Sequence, residues 1–295
     1  MYAILLITYR AGEKRMDLSR LYHPLTATPF QNDLLYREAV PSHALLRPWI
    51  RCLWGGVPRT GPGAGPVIPD TCSDIILRIG RQSGRITADY CALNDRPFFS
   101  SCPPDQTVEL FAVRFYPWAA CLFAQDSLRD SLNRLYDARQ HFPALVRALT
   151  RIVLETDSFD ERCSRAEEAL LSLLSGVRIR PEWMNAMAEL VQNEGRLRMS
   201  ELALRSQLST RQLERLFLEH TGASPKKLSD LIRYQCVWRD AVTSPRFDVQ
   251  DAVERYGYAD QSHLLRHFRR FHASTLSQAV ASARVGFVLS GGPCP

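Results

Sequence analysis

One pattern occurs twice between Arg198 and Gln278, and a chain built this way has few folds open to it. The first copy runs from Met199 to Phe217 and is followed by Gly222-Ala-Ser-Pro225; the second runs from Val249 to Phe268. Each copy reads as a short helix with an apolar stripe, a tight turn, a polar N-cap and a second helix with a polar outer face.

In the first copy, Ser209 can cap the free amides of the second helix, and Gln212 three residues later completes a capping box. Leu208 and Leu213 occupy the two places of a hydrophobic staple. Leu213, Leu216 and Phe217 mark the buried stripe, and Gly222 supplies the stop. In the second copy Asp260 is the cap and Leu264, Phe268 and Phe271 are the stripe. The two caps stand 51 residues apart.

The residues left outside these stripes are those that read base edges. Arginine pairs with guanine, glutamine pairs with adenine, and a carboxylate accepts from cytosine N4. Either copy alone reads equally well as two solvated helix faces. Two in tandem, both capped and both polar outward, argue for DNA.

The stretch resembles the DNA-binding domain of the AraC/XylS family of bacterial transcription regulators. Gly257-Tyr-Ala-Asp-Gln-Ser-His-Leu-Leu-Arg-His-Phe268 matches that family's most diagnostic segment, and Ile232-Arg233-Tyr234-Gln235 falls at the matching place in a joining helix from 225 to 242. The resemblance covers roughly residues 181 to 280. It implies base-edge contacts from Arg211, Glu214 and Arg215 in the first unit, and from Gln261, Ser262, His263 and Arg266 in the second, with Leu265 against a thymine methyl. Thr210 and Arg269, at the edges of the two faces, suit phosphate.

The chain departs from the family pattern twice. Gln207 stands in the first turn where the family commonly has glycine, and His272-Ala-Ser-Thr275 replaces Gly-x-Ser-Pro after the last helix. A residue with a side chain is disfavoured at a left-handed turn position.

Composition sets milder bounds. The 295 residues suffice for two domains, and 45% hydrophobic with 23% charged residues is ordinary for a globular chain. The net charge of +6 is not concentrated in any polybasic run, so DNA binding must rest on geometry more than on bulk charge. The eight cysteines form no Cys-x-x-Cys, which leaves a disulfide framework and a zinc site without support; reduced thiols are expected. His263, His267 and His272 are assigned to DNA contact, packing and surface roles respectively, not to metal.

Residues 1–16 hold an apolar run too short to span a membrane and lack the flanks of a signal peptide. They read as an extra strand or a tail, with Met16 an alternative start. From Tyr36 to Pro117 short apolar runs bounded by Pro and Gly read as strands, at 50–54, 74–79, 86–93 and 108–115. In the last, Val108, Leu110, Ala112 and, less cleanly, Phe115 alternate. The segment 55–69 is a Gly- and Pro-rich loop. This half resembles the N-terminal region of one AraC-type subgroup, through Pro41, Leu45, Leu46 and Trp54, then Pro69, Asp70 and Asp74-Ile75-Ile76, then Val113-Arg114-Phe115 and Trp118. The resemblance implies a cupin-like sensing domain. A catalytic cupin would need clustered His and Glu, and only His43 falls among these strands. Helices are expected over 118–135, with Trp118, Leu122, Leu128, Leu132 and Leu135 as its stripe, and over 142–154 and 165–174, before a hinge at 176–180.

The expectation is therefore an α+β chain of two domains. A small β-barrel or jelly-roll-like sensor (31–142) with flanking helices and a hinge (143–180) leads into an all-α tandem helix-turn-helix domain (181–285), with segments 1–30 and 286–295 outside both. The expected function is sequence-specific regulation of transcription under the control of an effector at the N-terminal domain, in the cytoplasm, without enzymatic activity, cofactor or metal. The partners are promoter DNA and an unidentified small molecule; a homodimer and RNA polymerase are further partners that the resemblance allows. Two alternatives are an enzyme built on the N-terminal barrel and a thiol-redox regulator, with Cys72 and Cys102 in loop-like, exposed places.

Overall fold

A computed structural model describes residues 17–27, 36–57, 66–99 and 108–290. The N-terminal half is a six-stranded antiparallel sheet of β1 (Tyr36–Ala39), β2 (Ile50–Gly56), β3 (Ser73–Gly80), β4 (Ile86–Cys91), β5 (Val108–Phe115) and β6 (Leu135–Asp137). Its order is β1-β2-β5-β3-β4-β6. The four strands read from the sequence are present. The two edge strands, β1 and β6, are short and carry mostly exposed side chains, so no alternation announced them.

Among the described residues the sheet is open rather than closed into a barrel: β1 and β6 end it without pairing to each other. Helices cover one of its faces instead. Phe159, at the start of α2 (Phe159–Leu174), packs edge-on against Phe111, and the buried Arg162 of α2 donates to Glu109 of β5 at 2.8 Å and to the Thr156 carbonyl at 2.9 Å. Helix α1 (Pro143–Glu155) lies beside α2 and buries Leu145, Leu149 and Val153. Glu167, buried on α2, accepts from the Ser42 amide and hydroxyl and from the His43 amide, so its charge is fully hydrogen-bonded.

The β5 side chains in the main core are Phe111, Val113 and Phe115, so of the alternating set Val108, Leu110, Ala112 and Phe115 only Phe115 lies there. Ala112 belongs to a second cluster on the opposite face with Cys52 and Trp54. Both faces of this strand are buried, which is why alternation could not choose between them. The expected helix over 118–135 is only a single 3-10 turn, Ala120–Leu122. Leu135 instead opens β6 and is exposed. An apolar spacing of four was met by chain that wraps the sheet edge, with Asp130 and Asn133 both at positive φ.

The helical half comprises α3 (Pro181–Gln192), α4 (Met199–Arg205), α5 (Thr210–Thr221), α6 (Pro225–Thr243), α7 (Val249–Tyr256), α8 (Gln261–His272) and α9 (Leu276–Ser290). Pro181 is the first residue of α3, where its missing N–H costs nothing, and Met184, Met187, Leu190 and Val191 face inward. Gly195 turns the chain out of α3 at φ +68; a Cβ there would stand 2.2 Å from the Ser229 carbonyl of α6. The segment 1–16 lies outside the described residues.

Candidate nucleic-acid interface

Helices α5 and α8 are the second helices of the two repeats, and both begin as their sequences require. Ser209 Oγ accepts from the Gln212 amide at 3.2 Å while the Ser209 amide donates to Gln212 Oε1 at 2.9 Å, so the capping box is complete. Asp260 accepts from the His263 amide at 2.7 Å. Leu213, Leu216 and Phe217 are buried on α5, and Leu264, Phe268 and Phe271 on α8. The α8 stripe packs on α6, whose Tyr234 and Trp238 rings lie 5.5 and 5.9 Å from Phe268, and the α5 stripe packs on α3, whose Trp183 ring meets Phe217 edge-on at 5.0 Å.

With the stripes inward, the polar residues must point out. Thr210, Arg211, Glu214 and Arg215 are exposed on α5, and Gln261, Ser262, Leu265, Arg266 and Arg269 on α8; His263 is half-buried. Each unit therefore gathers its own set on one outer face. Arg215 is only loosely paired, with Nε 3.9 Å from Glu219. Leu265 keeps 41% of its surface exposed on the same outer face.

The contacts that hold these residues were not legible in the sequence. Gln261 Nε2 donates to Gln250 Oε1 on α7 at 3.0 Å. The Arg233 guanidinium of α6 lies 4.6 Å from the centre of the Tyr258 ring, in the turn before α8, and Arg233 also donates to Asp230 at 3.0 Å. The Tyr258 hydroxyl meets His267 Nδ1 at 2.8 Å, and its ring packs edge-on against His263. Burial pushes the His267 imidazole down to about 4. His272 is not on the surface: it is buried between Trp238 and Phe268 and bonded to the Tyr234 hydroxyl at 2.8 Å. The aromatic spacing of α6 was the signal available for His272.

The two halves meet along α3, α6 and the end of α5. Gln235 accepts from the Leu25 amide and donates to the Leu25 and Pro69 carbonyls, at 2.8, 3.2 and 2.8 Å. Trp238 Nε1 donates to the Thr26 carbonyl at 3.0 Å, and Trp183 Nε1 to the Trp118 carbonyl at 3.1 Å. Lys227 bonds to Asp95, which Asn133 also holds. The Leu128 amide donates to the Glu219 carbonyl at 2.8 Å. A cleft of about 240 Å³ opens at this seam between Cys121, Asp126, Ser127, Glu219 and His220.

The subgroup motif residues of the N-terminal half also converge. Asp74 accepts from Trp54 Nε1 at 2.7 Å and from Arg114 Nε at 2.9 Å, and Arg114 lies 3.6 Å from Asp70. This is a closed, mutually satisfied charge cluster that fastens β2, β3 and β5 to the 70–72 turn. Cys72 in that turn is buried, not exposed as expected, and burial pushes its thiol well up. Cys102 lies outside the described residues. Among the described residues no group of three or more His, Cys, Asp and Glu could hold a metal, and no helix is long and apolar enough to cross a membrane.

Two family matches fall on this framework. A helix-turn-helix domain matches residues 202–282, and a domain of unknown function (DUF6597) matches residues 37–137. No curated protein matches the chain. Among solved structures it is similar to ToxT from Vibrio cholerae, at 8% identity and a TM-score of 0.40 over 78% of this chain and 98% of that one. It is also similar to ToxT from Vibrio cholerae O395, at 10% and 0.39 over 81% and 99%. A third is unsaturated fatty acid bound wild-type ToxT from Vibrio cholerae strain SCE256, at 10% and 0.37 over 85% and 96%. Superpositions that loose transfer no residue role.

Proposed function

We propose that this chain, which carries an AraC-type helix-turn-helix domain at its C-terminal end, is a sequence-specific transcription regulator that reads duplex DNA with α5 and α8 together. The observation that carries this reading is the pair of capped helices, each with its apolar stripe buried and its polar, arginine-bearing face exposed. Two such helices, fixed by one joining helix, suit successive major grooves roughly 34 Å apart on one face of the duplex. The footprint is then two unlike elements per subunit, with no palindrome required. Arg211, Glu214, Arg215, Gln261, Ser262, His263, Leu265 and Arg266 meet base edges, and Thr210 and Arg269 meet phosphates.

Control by a small-molecule effector at the N-terminal domain belongs to the same proposal. Its support is the seam: Gln235, Trp238 and Lys227 of the joining helix are all hydrogen-bonded to the N-terminal half. A ligand that shifts the sheet or its turns would therefore bear directly on the helix that spaces the two readers. Action in the cytoplasm, on a promoter with RNA polymerase nearby and in one or two copies, completes the reading.

Genome-wide mapping of binding by the tagged chain, followed by gel shifts on the enriched promoters, is the test. Enriched sites should share two short elements about one helical turn apart. Equal affinity for those promoters and for random duplex at moderate salt would overturn it.

A further inference from the structure

The strongest unassigned feature is the contact between the two glutamines of the second unit. Gln261 is the first residue of α8 and Gln250 sits in the first turn of α7; both are exposed. The backbone of Gln250 is held at the helix start, since its main-chain N–H donates to the α7 cap Asp248 at 2.7 Å. Gln261 Nε2 gives one of its two hydrogens to Gln250 Oε1 at 3.0 Å. What remains on the Gln261 carboxamide is its second N–H and its carbonyl oxygen.

That pair is the complement of one base edge. Adenine offers N7 as acceptor and N6–H as donor, whereas guanine offers two acceptors, N7 and O6, and would set O6 against the glutamine oxygen. A carboxamide free to turn loses that freedom when it docks; one already tied by a neighbour has less of it to lose. We propose that Gln250 is a positioning residue for specificity, which holds the Gln261 carboxamide in the orientation that selects adenine in the DNA element read by α8. The assignment rests on the DNA-reading function proposed above. It also predicts an asymmetry. In the first unit, Ser200 and Thr210 stand at the places of Gln250 and Gln261, each second in its first helix and first in its second, so no amide pair exists there and this adenine preference is confined to one element.

The experiment is selection of bound duplexes from a randomised library by the full chain and three variants, read as base preference at each position. Wild type should show one adenine position in the α8 element, and Gln261→Ala should remove that preference. Gln250→Ala should weaken it roughly 3–10-fold and leave every other position unchanged. Gln250→Glu keeps the acceptor that ties Gln261, so the adenine preference should survive while all sequences bind more weakly, because a carboxylate near phosphates repels. Circular dichroism melting of each variant separates these effects from unfolding, and both side chains are exposed. A Gln250→Ala profile that superimposes on the wild type, or that falls equally at every position, overturns the proposal. So does loss of the adenine preference in Gln250→Glu to the same extent as in Gln250→Ala. A wild-type chain that enriches a sequence which Gln261→Ala leaves unchanged sinks this assignment alone. A wild-type chain that enriches nothing sinks the DNA reading and this assignment with it.

Discussion

Gly222 and Ala273 end the two reading helices in the same left-handed conformation, at φ +73 and +58. The glycine is required twice over, since a Cβ there would stand 2.4 Å from Ser131 Oγ and 2.8 Å from the Leu128 carbonyl across the seam. Ala273 has the conformation without the residue that suits it, one position later than the His272 match to the family's glycine placed it. Ala273→Gly should therefore stabilise the chain by about 0.5–1 kcal/mol, because the strain of a left-handed alanine exceeds the extra freedom of an unfolded glycine. Gln207, at φ +57, should respond in the same direction. Urea titration gives the answer; a midpoint that falls in both variants would reject it.

Arg215 and Arg269 separate reading from holding. If Arg215 contacts guanine, Arg215→Ala costs on the order of 1–3 kcal/mol on the preferred site and relaxes one base position. Arg269→Ala should weaken all sequences about equally and lower the salt slope by about one. Gel shifts at several salt concentrations on matched and mismatched duplexes distinguish the two. The same uniform loss from both variants would show the α5 face to be wrongly assigned.

Glu214 is the informative acid on α5, because a carboxylate facing phosphates repels and is tolerated only when it accepts from cytosine N4 or from Arg211. Glu214→Ala should broaden base preference while non-specific binding stays level or rises. A fall in non-specific affinity would place Glu214 in a structural role.

The thiols give a separate check. Cys52, Cys72, Cys163 and Cys236 are buried; burial raises Cys52, Cys163 and Cys236 to about 12 and pushes the Cys72 thiol well up as well. The thiolate is the reactive form, so these four should ignore a disulfide reagent at neutral pH until urea unfolds the chain. Peptide mapping of the labelled cysteines tests this. Rapid native labelling of Cys72 would revive a redox role.

How much of this could be read in advance differed by element. Ser209, Gln212 and Gly222 act through neighbours in sequence, so the start and stop of α5 were legible residue by residue. The exposed faces of α5 and α8 followed, because a buried stripe of Leu264, Phe268 and Phe271 leaves only one outer face. Contacts set by the fold were not legible. Nothing local to Gln235 says that it will meet Leu25 and Pro69, and nothing local to Gln250 says that α7 will bring it against Gln261. The open sheet was missed for a related reason: strand runs show which segments pair, whereas closure depends on whether β1 and β6 reach each other.

Acid should destabilise the helical half through its buried histidines. His272 lies between Trp238 and Phe268, with Nδ1 on the Tyr234 hydroxyl, and burial holds it down to about 4. His267 is also held to about 4 by burial, with Asp230 opposing that effect. An ordinary histidine titrates near 6.5, so between about 4 and 6.5 the unfolded chain takes up protons that the folded chain refuses. Stability from these two groups is complete above about 6.5 and drains away as pH falls towards about 4. Each histidine gives up about 1.4 kcal/mol for every full pH unit crossed in that window, a few kcal/mol for the pair. Melting temperature should therefore drop between about pH 7.5 and about pH 5. His272→Asn keeps an acceptor near the Tyr234 hydroxyl and has nothing to protonate, so at the upper pH it should melt lower for lost packing, but with a shallower pH slope. An unchanged slope in that variant would mean that His272 is not one of the groups that titrate on unfolding.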